Sequence, residues 1–459
     1  MMRKNKSICL LVLALTTLFS AVSGAVAQHA LADIALEELK ESASLVGLAA
    51  VSYNQQGEKW SHYLGYADKS TKLGVSATTE FRYASVSKFV TTGLLAKLVS
   101  EGKMDLDKSI YSYIPDYPKK DYDFTVRQLL THTAGIPHYQ GLHDYNIDNR
   151  AKPYENVQQG VSLFENRSLL HKPGSEYRYS SFAFNLLSLV IENAGKKPFL
   201  SQLSDMTKAV NAHSIKAEKF DAPSANWSKL YNTAANSLER GNIGYKWAGG
   251  GLVGTAADLA QFGLSLLTDS IIKSATLQQF NTPQTLSNGS EIKVSRSSMG
   301  VGWRIRENRF GQAFFHHSGS MSGARSHISV FPEDKESIVL LSNTQWSVAL
   351  DDTAASLQML INSQPEQKCK FKTKSFSNDT SRATLTFSQN KDICIGDIKL
   401  GEKLTETLAG NTEKTTFKLL TTADSKVAII TPIGLFQGTI NASSLSLDIL
   451  GKEYQFSIK

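Results

Sequence analysis

FRYASVSKFVTTGLLAKLVSEG, residues 81–102, sets Ser85 and Lys88 three positions apart at the start of an expected helix, so both side chains emerge on one face. A serine hydroxyl is a weak nucleophile near neutral pH. An adjacent amine, kept unprotonated by apolar surroundings, can remove its proton as attack begins. Lysine starts near pKa ~10.4 in water, so burial must lower it substantially. Val86, Phe89, Val90, Leu94, Leu95 and Leu98 offer such surroundings, and Gly102 stands where a glycine closes a helix. The spacing alone decides little, because Ser100/Lys103, Ser270/Lys273, Ser290/Lys293 and Ser388/Lys391 repeat it. Its plain alternative is a helix start followed by a solvated lysine, so other parts of the chain must supply the rest of an acyl-transfer site.

The 459 residues leave room for two domains with a substantial core, and 41% hydrophobic with 20% charged residues is globular composition. The start, MMRKNKSICLLVLALTTLFSAVSGAVAQ, places Arg3, Lys4 and Lys6 before an apolar run from Ile8 to Val22, with Ala25-Val26-Ala27 as a small-residue cleavage site. Residues 1–27 are therefore expected to be a secretory signal peptide, which implies a secreted or periplasmic protein with no stable membrane span after processing. An uncleaved anchor is the alternative, disfavoured because the run is short and carries Thr16, Thr17 and Ser20. Processing lowers the formal charge of +7 by three, since no acidic residue precedes Asp33, and no Lys/Arg block marks a nucleic-acid partner. The mature chain keeps Cys369 and Cys394, which in an oxidising compartment suit one disulfide or a pair of buried thiols.

Residues 29–44 have the spacing of an amphipathic helix, and LVGLAAVSYNQQGEKWSHYLGYAD reads as two strands around a turn at 54–57. Without βαβ alternation the sheet is expected to be antiparallel. TVRQLLTHTAGIPHY predicts a short helix stopped at Gly135; His132 and His138 there match no metal-ligand pattern. In HKPGSEYRYSSFAFNLLSLVIENAG, Ser180 or Ser181 caps a helix running to Gly195, so Tyr179 stands just ahead of a helix N-terminus whose dipole favours a phenolate. Residues 196–245 are polar and irregular and are expected to border the site. The glycines of Trp247–Thr255 lack a following Gly-Lys-Ser/Thr, which favours close backbone packing over a phosphate loop. Thr255 and Asp258 then start a helix over 256–267, and VGWRIRE, QAFFHHSGS, ARSHISVFP and ESIVLLSN read as strands, with His317-Ser318-Gly319-Ser320 at the end of one. After a helix closed by Pro365, residues 364–459 alternate in short runs typical of a small β domain, with no ligand motif.

Ser85-Val86-Ser87-Lys88, Tyr179-Ser180-Ser181 and His317-Ser318-Gly319 stand in the order of the S-x-x-K, Y-x-N and K-T-G or H-x-G signatures. The chain thus resembles the serine β-lactamase and penicillin-recognising hydrolase superfamily, class C branch. Its LLTHTAGIPHY, KPGSEYRYSSFAFNLLS, YKWAGGGLVGTAADLAQFG and HHSGSMSGARS look closest to the mitochondrial serine β-lactamase-like peptidases. The likeness spans roughly residues 31–362 and excludes the C-terminal β segment. It implies an α+β fold, with an antiparallel sheet flanked by helices, an all-helical subdomain and the site in the crevice between them. Ser85 would be the nucleophile, Lys88 and Tyr179 would share base and acid roles, and His317 and Ser318 would line the far wall. Backbone N–H groups of Ser85 and Ser320 would form the oxyanion hole, with Ser181 and Gly319 completing the substrate side. Covalent acyl-enzyme chemistry would need no metal or cofactor.

Two departures bear on the substrate. Ser181 replaces the usual asparagine, and His317 replaces the usual lysine with a side chain whose unperturbed pKa of about 6.5 leaves it mostly neutral. The sequence therefore points to residues 28–363 as an exported peptidase or esterase domain acting on a small-molecule or peptide substrate, cell-wall peptides among them, with residues 364–459 as a separate β domain. A β-lactamase or DD-carboxypeptidase is the second enzyme reading, and a non-catalytic binding or scaffold protein on the same fold is the third.

Overall fold

The continuous, buried apolar run of Gly47–Asn54 (β1) pairs with Gly57–Asp68 (β2) as an antiparallel hairpin around a short polar turn. In this computed structural model, which describes residues 29–139, 153–346, 349–370, 372–377, 382–390, 393–410 and 412–457, that hairpin opens a large mixed structure. The expected signal peptide, residues 1–27, lies outside the described residues. Leu73–Gly74 (β3), Lys293–Val294 (β4), Ser297–Met299 (β5), Arg304–Glu307 (β6), Ala313–Met321 (β7), Ala324–Phe331 (β8) and Glu336–Ser342 (β9) complete one antiparallel sheet, ordered β3-β2-β1-β9-β8-β7-β6-β5-β4. Its centre joins the two ends of the unit, with Leu48 opposite Ser342.

Val86–Ser100 (α1) is apolar on nearly every side and is buried accordingly. Phe89 on α1 stacks on Phe315 of β7 at 5.9 Å and packs against Trp303 at 5.5 Å. Val126–Leu130 (α2), Ser181–Gly195 (α3) and Trp247–Gly250 (α4) gather with α1 into the helical part of the unit. Ala256–Ser265 (α5) lies on β1, β8 and β9, capped by Thr255, whose hydroxyl accepts from the Asp258 N–H at 3.2 Å.

The chain divides into two compact units, one of residues 43–354 and the other of residues 29–42 with 355–457. The sequence places residues 28–363 in a single domain; in the structure the helix Ala30–Ser42 belongs with the C-terminal unit. Its buried stripe of Leu31, Ala32, Ala35, Leu36 and Leu39 packs on strands 417–421, 426–431 and 434–440. Periodicity shows that a helix has an apolar face but not what covers it.

In the C-terminal unit, Thr373–Ser377 (β10), Arg382–Asn390 (β11), Ile393–Leu400 (β12), Phe417–Thr421 (β13), Lys426–Thr431 (β14), Gly434–Ile440 (β15), Ser444–Ile449 (β16) and Lys452–Ser457 (β17) pair in succession. Ser377 of β10 meets Ser457 of β17 and closes the barrel. Closure leaves no free edge, and in β11 the alternation of buried Ala383 and Leu385 with exposed neighbours follows the two-residue period of a strand. Cys369 and Cys394 are disulfide-bonded, with Cα atoms 5.1 Å apart.

Candidate active site

The approach to Ser85 is fixed before α1 begins. Phe81–Arg82 pairs with Leu252–Gly254, and buried Arg82 donates from Nε to Glu218 at 2.8 Å while a second nitrogen bonds the other carboxylate oxygen. Arg240 adds a third link to Glu218 at 2.9 Å. Burial alone would raise the Glu218 carboxyl, but the two guanidinium groups outweigh it and hold the pKa below the usual range. Tyr83 donates to the Thr255 carbonyl at 2.7 Å. Ala84 then takes φ 47°, a left-handed conformation costing a non-glycine residue roughly 1–3 kcal/mol and found where surroundings enforce it. Ser85 follows at the N-cap of α1, yet its side chain makes no capping bond, so Oγ is free for other partners.

Two partners reach it. Lys88 Nζ lies 3.3 Å from Ser85 Oγ, and the Tyr179 hydroxyl donates to the same oxygen at 2.9 Å. Lys88 is fully buried; its Nζ also donates to Ser181 Oγ at 2.9 Å and to the Gly249 carbonyl. The Tyr179 and Phe184 rings face it at 4.9 and 5.6 Å. Burial, with a smaller effect of the Arg304 charge, pushes the Lys88 amine well below the ordinary lysine value. The carbonyl that receives it comes from the glycine run read as backbone packing. A Cβ on Gly249 would lie 2.7 Å from the Ser181 carbonyl oxygen, so only glycine lets α4 meet the start of α3 this closely.

Tyr179 sits before α3 as expected, with Ser180 as the cap: its hydroxyl accepts from Ala183 N–H at 3.0 Å and donates to the Pro137 carbonyl at 2.8 Å. The expectation of a phenolate at this helix terminus is overturned. Burial raises the Tyr179 pKa, against smaller lowering effects of Arg304, Ser85 and Ser181, so the phenol keeps its proton and acts as a donor. His132 and His138 hold this corner in place. The Ser180 N–H donates to His132 Nδ1 and the Ser181 N–H to His138 Nδ1, each at 3.1 Å, which satisfies donors that a helix start leaves open. The His132 ring also packs on Tyr179 at 4.5 Å, and burial, with the nearby Lys88 charge, depresses its pKa well below the ordinary histidine value. Sequence patterns test histidines for metal ligation and so pass over this positioning role.

On β7 the two-residue period of a strand separates neighbours. Phe315, His317 and Gly319 face α1, and Gly319 touches the turn that carries Ser85: a Cβ there would lie 2.4 Å from the Tyr83 carbonyl oxygen and 3.0 Å from the Ser85 nitrogen. The Ser318 side chain points the other way and hydrogen-bonds His327 Nδ1 at 2.9 Å, which corrects its expected place on the far wall. His317 Nδ1 is 2.8 Å from the Ser318 carbonyl oxygen. Burial, reinforced by Arg304 and Lys88, holds His317 well below the ordinary histidine pKa, so it is neutral near pH 7. The hairpin contact of Met321 with Ala324 fixes the hydrogen-bond alternation, which turns the backbone groups of Ser318 and Ser320 away from β8. Because β6 pairs with β7 only as far as His316, residues 317–321 present an edge beside Ser85 that no strand among the described residues covers.

Arg304 stands opposite His316, where that free edge begins, and its charge partly offsets the raising effect of burial on the Tyr177 phenol. It is half-buried, and its charge acts on Lys88, Tyr179, His132 and His317 together. The sequence reading missed it, because an arginine in a strand carries no pattern until the partner strand is known. Among the described residues no group of three or more His, Cys, Asp or Glu side chains is placed to hold a metal ion.

The family model described as Beta-lactamase matches residues 32–362. The chain belongs to the β-lactamase family. Among curated relatives of this β-lactamase-family chain, the mitochondrial serine beta-lactamase-like protein LACTB of Homo sapiens is 24% identical over 425 residues, covering 71% of this chain and 78% of that protein. Among solved structures, a beta-lactamase/D-alanine carboxypeptidase from Pseudomonas syringae aligns with TM-score 0.60 and 18% identity, over 73% of this chain and 98% of that one. An octameric penicillin-binding protein homologue from Pyrococcus abyssi aligns with TM-score 0.61 and 18% identity, over 92% of this chain and 98% of that one. The fold is thus that of serine hydrolases and penicillin-binding proteins. In this β-lactamase-family chain, an amine, a phenol and a hydroxyl converge beside a free strand edge, an arrangement able to transfer an acyl group.

Proposed function

We propose that this protein is a serine hydrolase that cleaves peptide or ester bonds through an acyl-enzyme on Ser85. The observation that carries the reading is the meeting of Lys88, Tyr179 and Ser85 within hydrogen-bond reach, with the lysine fully buried. A neutral amine has two hydrogens and one lone pair. Gly249 O and Ser181 Oγ take the hydrogens, which leaves the lone pair for the Ser85 proton. As Oγ attacks the carbonyl carbon, that proton passes to Lys88. Tyr179, still a phenol, protonates the leaving group and is reprotonated from Lys88. The N–H groups of Ser85 and Ser320 receive the developing oxyanion. In the second half the same groups deprotonate a water, which attacks the ester and frees Ser85.

The substrate enters along residues 317–321, where an extended peptide can add its backbone to the free edge. Residues 1–27 support export to a secreted or periplasmic location, and no helix among the described residues is long and apolar enough to cross a membrane. A fluorophosphonate probe tests the reading: it should label the native protein at Ser85 and leave Ser85→Ala unlabelled, and equal labelling of both rejects it. Arg304 favours a second reading, cleavage of cell-wall peptides or β-lactams that carry a carboxylate, because it is the permanent cation at the leaving-group end that neutral His317 does not supply. Labelled penicillin should then acylate Ser85, and silence across several β-lactams removes that reading.

A further inference from the structure

Lys88 is not the only buried lysine of this unit. Lys246, just before α4, is 5% exposed, and its ammonium lies against the faces of Tyr139 and Tyr245 at 5.1 and 5.2 Å. No carboxylate or carbonyl among the described residues accepts a hydrogen bond from it; nearby Glu218 is already held by Arg82 and Arg240. Its stem borders the cleft. A Cβ at Gly250 would lie 3.7 Å from Lys246 Cδ, 3.8 Å from Met321 Cε and 3.9 Å from the Ala84 carbonyl carbon, so the lysine stem, the end of β7 and the peptide leading into Ser85 converge on Gly250. Met321 is two residues past Gly319 and on the same face of β7, at the opposite end of the free edge from Arg304. The leaving group departs toward Tyr179, Tyr177 and Arg304; the acyl part of a substrate therefore extends toward Met321 and Lys246.

We propose that Lys246 is the acyl-side anchor of this cleft and receives the carboxylate of a substrate whose acyl group is acidic. The inference rests on hydrolysis through Ser85. A buried ammonium with no carboxylate partner among the described residues is costly, and aromatic faces compensate only part of that cost, whereas an arriving carboxylate supplies such a partner. Burial, with the charges of Arg82 and Lys88, holds the Lys246 amine at about 7, so an anion arriving beside it restores its full charge. Two strand residues span roughly 7 Å, which matches an acid at the end of a glutamate side chain better than one beside the scissile carbonyl.

The test compares aminomethylcoumarin amides of N-acetylglutamate and N-acetylglutamine, in both enantiomers. The native enzyme should favour the glutamyl amide of one enantiomer by about tenfold or more in kcat/KM. Lys246→Met should bring that ratio to one or lower, and Lys246→Arg should keep it above one. A native ratio near one for both enantiomers, or a Lys246→Met variant that slows both amides in proportion, overturns the proposal. Should Lys246→Met not fold, the native ratio decides. Calorimetric binding of N-acetylglutamate against N-acetylglutamine needs no turnover, so absence of labelling at Ser85 would reject the hydrolase while the calorimetry still judges Lys246.

Discussion

Replacing Gly319 with alanine perturbs the candidate site through a single methyl group. The added Cβ would stand 2.4 Å from the Tyr83 carbonyl oxygen, 2.2 Å from Ser326 Oγ and 3.0 Å from the Ser85 nitrogen. The serine hydroxyl can rotate away, but the Tyr83 carbonyl is backbone and already accepts from Ser326. Ordinary contact requires separation by about 1 Å, so β7 and the Ser85 turn must move apart, and overpacking of this kind costs about 1–3 kcal/mol. The same movement displaces Ser320 N–H from Ser85 N–H. A 1 Å error in positioning costs on the order of 10²-fold in rate, so fluorophosphonate labelling and ester turnover should both fall by about that factor. The melting temperature should drop by about 2–12 °C, at about 2–4 °C per kcal/mol. A Gly319→Ala protein that labels within twofold of the native rate would refute the placement of β7 against the nucleophile.

Four further outcomes follow from the same geometry. Lys88→Met should slow turnover by about 10²–10⁴-fold. In the native enzyme kcat/KM should fall on the acid side as Lys88 gains its proton, with a midpoint well below the ordinary lysine value; a midpoint near 10.5 would remove Lys88 as the base. His132→Ala leaves the buried Ser180 N–H without its acceptor, a loss of about 1–3 kcal/mol, and should lower kcat more than it raises KM because Tyr179 loses its support. Glu218→Gln should cost about 3–5 kcal/mol by taking the shared carboxylate from buried Arg82 and half-buried Arg240. Because the Glu218 pKa is depressed on folding, its stabilisation is complete above the unfolded value of about 4.3 and is lost as pH falls; acid titration of the melting temperature should show this loss in the native protein and not in the variant. Arg304→Gln should abolish any preference for a free carboxylate on the leaving group over its amide, read as a ratio of kcat/KM values; an unchanged preference would assign that anion elsewhere.

Local chemistry made much of this protein legible without coordinates. A hydroxyl and an amine three residues apart on a helix face each other whatever the fold does elsewhere, and short apolar runs bounded by turn residues marked β1, β2 and the strands from 304 to 342, several of them buried on both faces. Gly102 at the end of α1 and Ser180 at the start of α3 were readable for the same reason, since each terminus has its own unpaired backbone groups to satisfy. What depended on packing partners was not readable. The phenol at residue 179 keeps its proton because burial outweighs the opposing effects of Arg304, Ser85 and Ser181, and burial is a property of the whole unit. Ser318 turns away from the cleft because one residue along a strand reverses the face. Arg304 becomes a site cation only through its position opposite His316, and helix 30–42 finds its cover on a barrel more than 370 residues later. The sequence by itself determined which groups have the chemistry; tertiary structure decided which meet, which are dehydrated and which point away, because those are effects of contacts between residues far apart in the chain.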